Sequence, residues 1–184
     1  MNRLENKLIK RIVRKNDKQA ANELVRLYYQ SVYTYVYKQT IDKELALDLT
    51  QEIFIQMLGS LHTFNVEKAS FTTWLHRIAT NRSIDYFRST YHKYEKHRVE
   101  VQEQMFTKFE DTALLIERKE EAEALNALIA SLDTTSSQIV RLKSFADATF
   151  LEVAASLEMK ESTVKSKYYA ALRVMKKRWE ENSN

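Results

Sequence analysis

Thr73, Arg77, Asn81, Ile84 and Arg88 recur at helical spacing, with Trp74 on their border. On a helix they share one side over about four turns, so a hydroxyl, an amide, two guanidinium groups and an indole line up. Melted DNA offers what such a stripe can use, since unpaired bases present π-faces and Watson–Crick edges to stacking and hydrogen-bonding groups. A solvated polar face beside a core tryptophan would show the same pattern.

Two further sets of side chains invite a function. Asp48, Gln51, Glu52 and Ile55 fall on one helical face, and a monomer has little reason to expose the apolar member, so a partner helix could dock there. Ser162, Thr163, Lys165, Ser166 and Tyr169 open a basic C-terminal helix that also carries Arg173. The short helix Phe150 to Leu157, a break at Glu158 to Glu161 and the longer helix from Ser162 to about Trp179 read as a helix-turn-helix. In that motif the first residues of the second helix meet base edges in the major groove. Lys and Ser can each meet bases or phosphates, so the base preference stays open.

The elements that must hold these sets follow from periodicity and caps. Ser70 is a good N-cap for a helix to Arg88 with Phe71, Leu75, Ile78 and Ala79 on its core face; Arg82 points to that apolar side and is expected to snorkel. Residues 3 to 15 form a helix with Leu4, Leu8, Ile9, Ile12 and Val13 inward. Asp17 caps the next, to about Gln39, with Ala20, Leu24, Leu27, Tyr28, Val32, Tyr35 and Val36 repeating. Asp42 caps residues 43 to 58, whose buried stripe is Ala46, Leu49, Ile53 and Met57, and Gly59 is expected to end that helix. In the second half, Ala122, Leu125, Leu128 and Ile129 mark a helix from Glu117 to Ala130. Asp133 caps one carrying Ile139, Val140 and Leu142, and Thr149 caps the short helix. Val164, Tyr168, Ala171, Leu172 and Met175 hold the last helix to its own domain.

Composition agrees with an all-α chain. With no proline and a single glycine in 184 residues there is almost nothing to make hairpin turns. The segment from Tyr91 to Phe109 loses periodicity, and Glu110, Asp111, Glu117, Glu120, Glu121 and Glu123 form an acidic interval. It separates a basic cluster at Arg88, Lys93, Lys96 and Arg98 from another at Lys165, Lys167, Arg173, Lys176, Lys177 and Arg178. The net charge is only +4, so this alternation matters more than the total, and it suits two nucleic-acid contacts on one connector. Two small helical domains joined by a flexible linker are expected: residues 1–95, a linker at 96–116 and residues 117–184 with the helix-turn-helix. No run approaches the roughly 18 apolar residues of a membrane helix, and the N-terminus is charged where a signal peptide needs an apolar core. A cytoplasmic protein without membrane insertion is expected, and the lack of cysteine fits a reducing compartment.

DLTQEIFIQML at 48–58, FTTWLHRIATNRSIDYFR at 71–88 and LEVAASLEMKESTVKSKYYAALRVMKK at 151–177 together resemble bacterial extracytoplasmic-function sigma factors of the sigma-70 family. In order, they resemble that family's core-polymerase-binding helix, promoter −10 helix and −35-reading helix-turn-helix. The resemblance implies a non-enzymatic protein that binds core RNA polymerase and promoter DNA, takes no cofactor and no metal, and is held by an anti-sigma factor. Carried over by position, Asp48, Gln51 and Glu52 match the face that grips polymerase, which would account for Ile55. Trp74 and Asn81 match positions at the melted −10 element, with the loop from Phe64 to Ser70 near an extruded base. Thr73, Arg77 and Arg88 complete the candidate −10 set. Lys165, Ser166 and Tyr169 match the −35-reading helix, joined by Ser162, Thr163 and Arg173, and Thr149 matches a phosphate contact. The chain departs from the family at Leu132-Asp133, where Leu-Pro is common, and at Asp147-Ala148 and Glu161-Ser162, where glycine is usual.

Two other classes compete. A helix-turn-helix regulator would use residues 1 to 110 for dimerisation or sensing and would leave the 73–88 stripe and the 48–55 face idle. A helical enzyme finds no support, because His62, His76, His92 and His97 have neither metal-ligand spacing nor clustered carboxylates.

Overall fold

Helix starts in this chain are set by short polar side chains that accept otherwise unsatisfied backbone N–H groups. The computed structural model describes residues 3–97 and 111–182. Among them the helices are α1 (Arg3–Lys15), α2 (Lys18–Thr40), α3 (Lys43–Ser60), α4 (Phe71–His97), α5 (Asp111–Ala130), α6 (Thr134–Phe145), α7 (Phe150–Leu157) and α8 (Glu161–Asn182). A 3-10 turn, Leu61–Thr63, follows α3, and the described residues contain no strand. Asp17 caps α2 through the N–H groups of Gln19 and Ala20, Asp42 caps α3 through Leu45, and Asp133 caps α6 through Ser136. The Ser70 hydroxyl accepts the Thr73 N–H at 3.1 Å and so starts α4. At α7 the cap is reciprocal, with Thr149 taking the Glu152 N–H while the Glu152 carboxylate takes the Thr149 N–H.

Helices α1 to α4 enclose one core. Leu8, Leu24, Val32, Tyr35, Ile53, Met57, Phe71 and Leu75 are buried in it, the inward stripes that periodicity predicts, and Leu61 of the 3-10 turn joins them. Helices α5 to α8 enclose two smaller clusters. Leu128, Ile129, Val140, Ala171 and Met175 form one, Ile139, Leu142, Val153, Ala154 and Val164 the other. The halves touch, since α4 packs on α5, α6 and α7, and Phe145 reaches from α6 into the first core.

Several expectations are corrected. Gly59 lies within α3, which runs on to Ser60; no glycine has positive φ, and the Ser60 hydroxyl donates back to the Gln56 carbonyl at 2.7 Å. Helix α4 continues past Arg88 to His97, because an established helix adds residues cheaply without an apolar stripe. Helix α5 begins at Asp111, so 111–116, assigned to the linker, are helical; the expected linker residues 98–110 lie outside the described residues. Leu4, Val13, Leu27, Leu125 and Leu172, placed inward by periodicity, are exposed, because each lies at the edge of its apolar arc. Arg82 does more than snorkel, since its guanidinium pairs with the Glu52 carboxylate on α3.

The helix-turn-helix manages its turn without glycine. Glu158 takes the left-handed conformation, φ 54°, and the Met159 N–H reaches back to the Ala154 carbonyl at 2.9 Å, closing a Schellman turn. Asp147, before α7, is also left-handed at φ 53°. The reciprocal cap at α7 is open to direct measurement. Thr149→Ala should destabilise the chain by about 1 kcal/mol in urea unfolding, whereas Thr149→Ser, which keeps the hydroxyl, should cost far less.

Candidate nucleic-acid interface

On α8 the buried side chains Val164, Ala171 and Met175 fix which face turns outward. That leaves Ser162, Thr163, Lys165, Ser166, Tyr169 and Arg173 exposed together, with Tyr169 at 54%. Lys165 pairs with Glu161 one turn earlier at 2.7 Å, an exposed and easily exchanged contact. Phe150 anchors this face by stacking edgewise on Tyr168, and the Lys143 and Lys165 ammonium groups lie 5.3 and 5.8 Å from its ring centre. Lys143, which sequence reasoning did not single out, therefore extends the basic face onto α6. Thr149 is less available. Its hydroxyl donates to the Glu152 carboxylate at 2.7 Å and accepts the Glu152 N–H at 3.2 Å, so a phosphate there would meet a nearby negative charge. The Thr149 N–H, and after it the Thr149 hydroxyl, hold the Glu152 carboxyl below its usual range.

On α3, Asp48, Gln51, Glu52 and Ile55 are all exposed, Ile55 at 72%. Leu47 joins them at 40%, so two aliphatic side chains stand among acidic and amide groups. The ion pair from Arg82 ties Glu52 to α4.

The α4 stripe is brought together but not left open. Trp74 sits in a ring cluster with Phe64 and Phe71, centroids 5.4 and 5.7 Å away. It lines a cleft of about 350 Å³ with Asn65, Lys68, Arg77 and Asn81 on one wall and Ser156 and Glu158 of the second half on the other. Thr73 is buried, its hydroxyl within 2.7 Å of that of Ser70, and Ile84 is buried as well, so neither offers a free surface. The remaining stripe residues spend their hydrogen bonds on α6 and α7. Arg77 donates to the Ser156 carbonyl at 2.6 Å, the Gln138 amide donates to the Asn81 carbonyl oxygen at 2.7 Å, and Arg88 donates to the Thr134 hydroxyl at 3.1 Å.

A buried cation lies at the centre of the same seam. Arg141 on α6 is 0% exposed, and its Nη1 donates to Gln39 Oε1 at 2.5 Å and to Asn126 Oδ1 at 2.9 Å. The Asn126 amide in turn donates to the Gln39 backbone carbonyl at 2.6 Å, and the guanidinium carbon lies 4.8 Å from the Phe87 ring centre. Burial pushes the Arg141 pKa down to about 10, which still leaves it charged at neutral pH. Ion pairs flank it, a half-buried one from Lys119 to Asp42 at 2.8 Å and exposed ones from Lys38 to Asp147 at 3.4 Å and Lys68 to Glu158 at 2.9 Å. The only trace of Arg141 in the sequence is a charge interrupting the apolar run Ile139-Val140-Leu142.

These surfaces give an all-helical protein with an exposed helix-turn-helix face and a covered aromatic and guanidinium stripe. Residues 24–92, most of α2 and α4 and all of α3, match sigma-70 region 2. The chain is 27% identical to RNA polymerase sigma factor YlaC of Bacillus subtilis over 156 residues, 84% of this chain and 89% of that protein. It is 28% identical to the extracytoplasmic-function sigma factor SigX of the same organism over 164 residues, 83% of this chain and 80% of that one. The solved structure of CnrH in complex with the cytosolic domain of CnrY shares the fold, with TM-score 0.55 and 17% identity over 97% of this chain and 96% of that one. Residues 24–92 thus match a sigma-70 region, and over most of its length the chain is similar to extracytoplasmic-function sigma factors.

His76, between α2 and α4 beneath the stripe, supplies a pH test. It is buried against the Tyr35 ring at 5.4 Å, with Ser31 Oγ 3.4 Å from its Nε2. Burial lowers its pKa below 6.5, partly opposed by a hydrogen bond with the Thr72 backbone. With the folded-state value depressed, the unfolded chain takes up the proton first as pH falls, so the His76 contribution is present above about 6.5 and lost below it. Urea midpoints measured between pH 7.5 and 5 should fall more steeply for the wild type than for His76→Gln.

Proposed function

We propose that this chain binds core RNA polymerase and directs promoter-specific initiation, reading the −35 element as duplex through α8 and the −10 element as melted strand through α4. Residues 1–95 act as the polymerase-binding and −10 domain, 117–184 as the −35 domain, and 96–116 as the connector between them. One observation carries this reading: α3 exposes Ile55 and Leu47 among Asp48, Gln51 and Glu52, a face that a regulator acting alone would leave idle. On α4, Trp74 offers a stacking surface and Arg77, Asn81 and Arg88 offer donors and acceptors to an unpaired strand. On α8, Lys165, Ser166 and Tyr169 face the major groove, with Ser162, Thr163 and Arg173 beside them. Joining two weak contacts through one chain raises promoter affinity by effective concentration. CnrH is bound by the cytosolic domain of a second protein, which supports an anti-sigma partner for this chain too. No described helix is long and apolar enough to cross a membrane, and we place the protein's action in the cytoplasm, with the polymerase.

Run-off transcription with purified core polymerase across a promoter library tests the reading. Specific initiation should fall about tenfold or more for Asn81→Ala through the −10 element and for Lys165→Ala through the −35 element, since one good contact is worth about 1–3 kcal/mol. No core-dependent initiation, with tight duplex binding by the protein alone, would contradict it. Separately, Ile55→Glu should weaken core binding in a pull-down titration by about tenfold or more while leaving the folded chain's urea midpoint unchanged, because a truncated central anchor typically costs at least about 2 kcal/mol.

A further inference from the structure

Two cations of the cleft that Trp74 lines act on one exposed carboxylate. The Lys68 ammonium meets the Glu158 carboxylate at 2.9 Å, with both side chains 61% exposed. Arg77, on the same wall as Lys68, adds its charge, and the two, Lys68 first, hold the Glu158 carboxyl below its usual range. An exposed pair of this kind contributes little to stability and exchanges easily for another anion. We propose that the cleft is a binding site for a small phosphomonoester carried on a ring, the phosphate replacing the Glu158 carboxylate beside Lys68 and Arg77 and the ring lying along Trp74.

The walls select that class of ligand. At about 350 Å³ the cleft has the size of a site for a small molecule, but such sites are mostly apolar with a few polar groups. Here the carboxamides of Gln56, Asn65 and Asn81 and the hydroxyls of Ser60 and Thr63 stand beside the Trp74 indole. An apolar occupant would leave them unpaired at a cost, whereas the hydroxyls of a sugar or the ring edge of a base satisfy them. The indole supplies a flat surface for the ring itself. Phosphate needs several convergent donors, and charged ones bind it best. Arg77 gives one N–H to the Ser156 carbonyl at 2.6 Å, and a guanidinium carries five. Asn81 spends its carbonyl oxygen on the Gln138 amide and keeps its own amide donors in reserve. Ser156, on the far wall and only 3% exposed, has a hydroxyl that finds no partner among the described residues. A buried polar group left open at the wall of a polar cleft points to an occupant.

Mononucleotides and sugar phosphates share this chemistry, and a titration tells them apart. Trp179→Phe leaves Trp74 as the one indole of the chain, so its fluorescence reports on the cleft. Adenosine monophosphate, cytidine monophosphate, a hexose phosphate and inorganic phosphate are titrated in turn. One of the ring-bearing compounds should saturate with a Kd below about 1 mM, at least about tenfold tighter than inorganic phosphate. Tightest binding by a monophosphate of adenosine or cytidine identifies a nucleotide site, and tightest binding by the hexose phosphate a sugar-phosphate site. In the same background two substitutions break one ion pair with opposite results. Lys68→Gln removes a cation and should weaken binding about tenfold or more, whereas Glu158→Gln removes the competing carboxylate and should tighten it by a similar factor. No saturation by any ring-bearing compound, or a change in the same direction for both variants, would overturn the site. Trp74, Arg77 and Asn81 also belong to the proposed −10 set, so an effect of the ligand on initiation rests on the sigma-factor reading. At about ten times its Kd the ligand should lower run-off initiation about tenfold. Initiation untouched by the ligand would overturn this competition. A chain that binds the ligand yet initiates at no promoter in its absence would overturn the sigma-factor reading and leave the site standing.

Discussion

Burying Arg141 is the constraint around which the two halves are arranged. Desolvating a guanidinium costs several kcal/mol even after relaxation. Against this stand hydrogen bonds to a charged group, each contributing about 1.5–3 kcal/mol, and a desolvated ring contact of about 2 kcal/mol. The Gln39 and Asn126 oxygens supply the bonds and Phe87 the ring, so gain and cost are of the same size. Gln39 lies in the last turn of α2, Phe87 on α4, Asn126 on α5 and Arg141 on α6, and the cation gains these partners only when all of these helices meet. The exposed pairs at Asp147 and Glu158 add little individually and, with the half-buried pair at Asp42, serve to set the register.

Of the three candidate faces, two are open and the third lies under this seam. The face of α8 follows from Val164, Ala171 and Met175 being inward, and the α3 face from Ala46, Leu49, Ile53 and Met57; neither depends on the seam. The α4 stripe lies on a helix with two buried sides. Phe71, Leu75 and Ile78 bury one side in the first core, and the second half of the chain covers the other. A helix placed in this way can meet a further partner along its stripe only by giving up one it already has.

Much of this was legible in the sequence. Asp17, Asp42, Ser70, Asp133 and Thr149 cap the helices they were expected to cap, because a short acceptor before an apolar periodic run has few other uses. The bounds of the helix-turn-helix followed from the same logic even without its usual glycine. Its turn is closed by Glu158 in the left-handed region, a cost about 1–2 kcal/mol above glycine that spacing does not reveal. The end of α4 was not legible, since YHKYEKH has no apolar stripe and its helicity is propagated from the residues before it. Periodicity also could not show that Thr73 and Ile84 are buried. One helix's apolar pattern does not reveal burial outside its main stripe, and Thr73 turns its hydroxyl to Ser70 one turn earlier. Arg141 was missed for a related reason: charge is ordinarily a sign of exposure, and only its position between Val140 and Leu142 hinted otherwise.

The central claim is the proposed one, that the α4 stripe, which in this structure bonds to α6 and α7, is the surface that meets the unpaired promoter strand. A cryo-electron microscopy structure of the chain with core polymerase and an open promoter tests it most directly. The account predicts α6 and α7 lifted from α4, Arg141 in water, and Arg77 and Asn81 against the unpaired strand. An initiating complex in which Arg141 remains bonded to Gln39, with α7 still seated on Arg77, would contradict it.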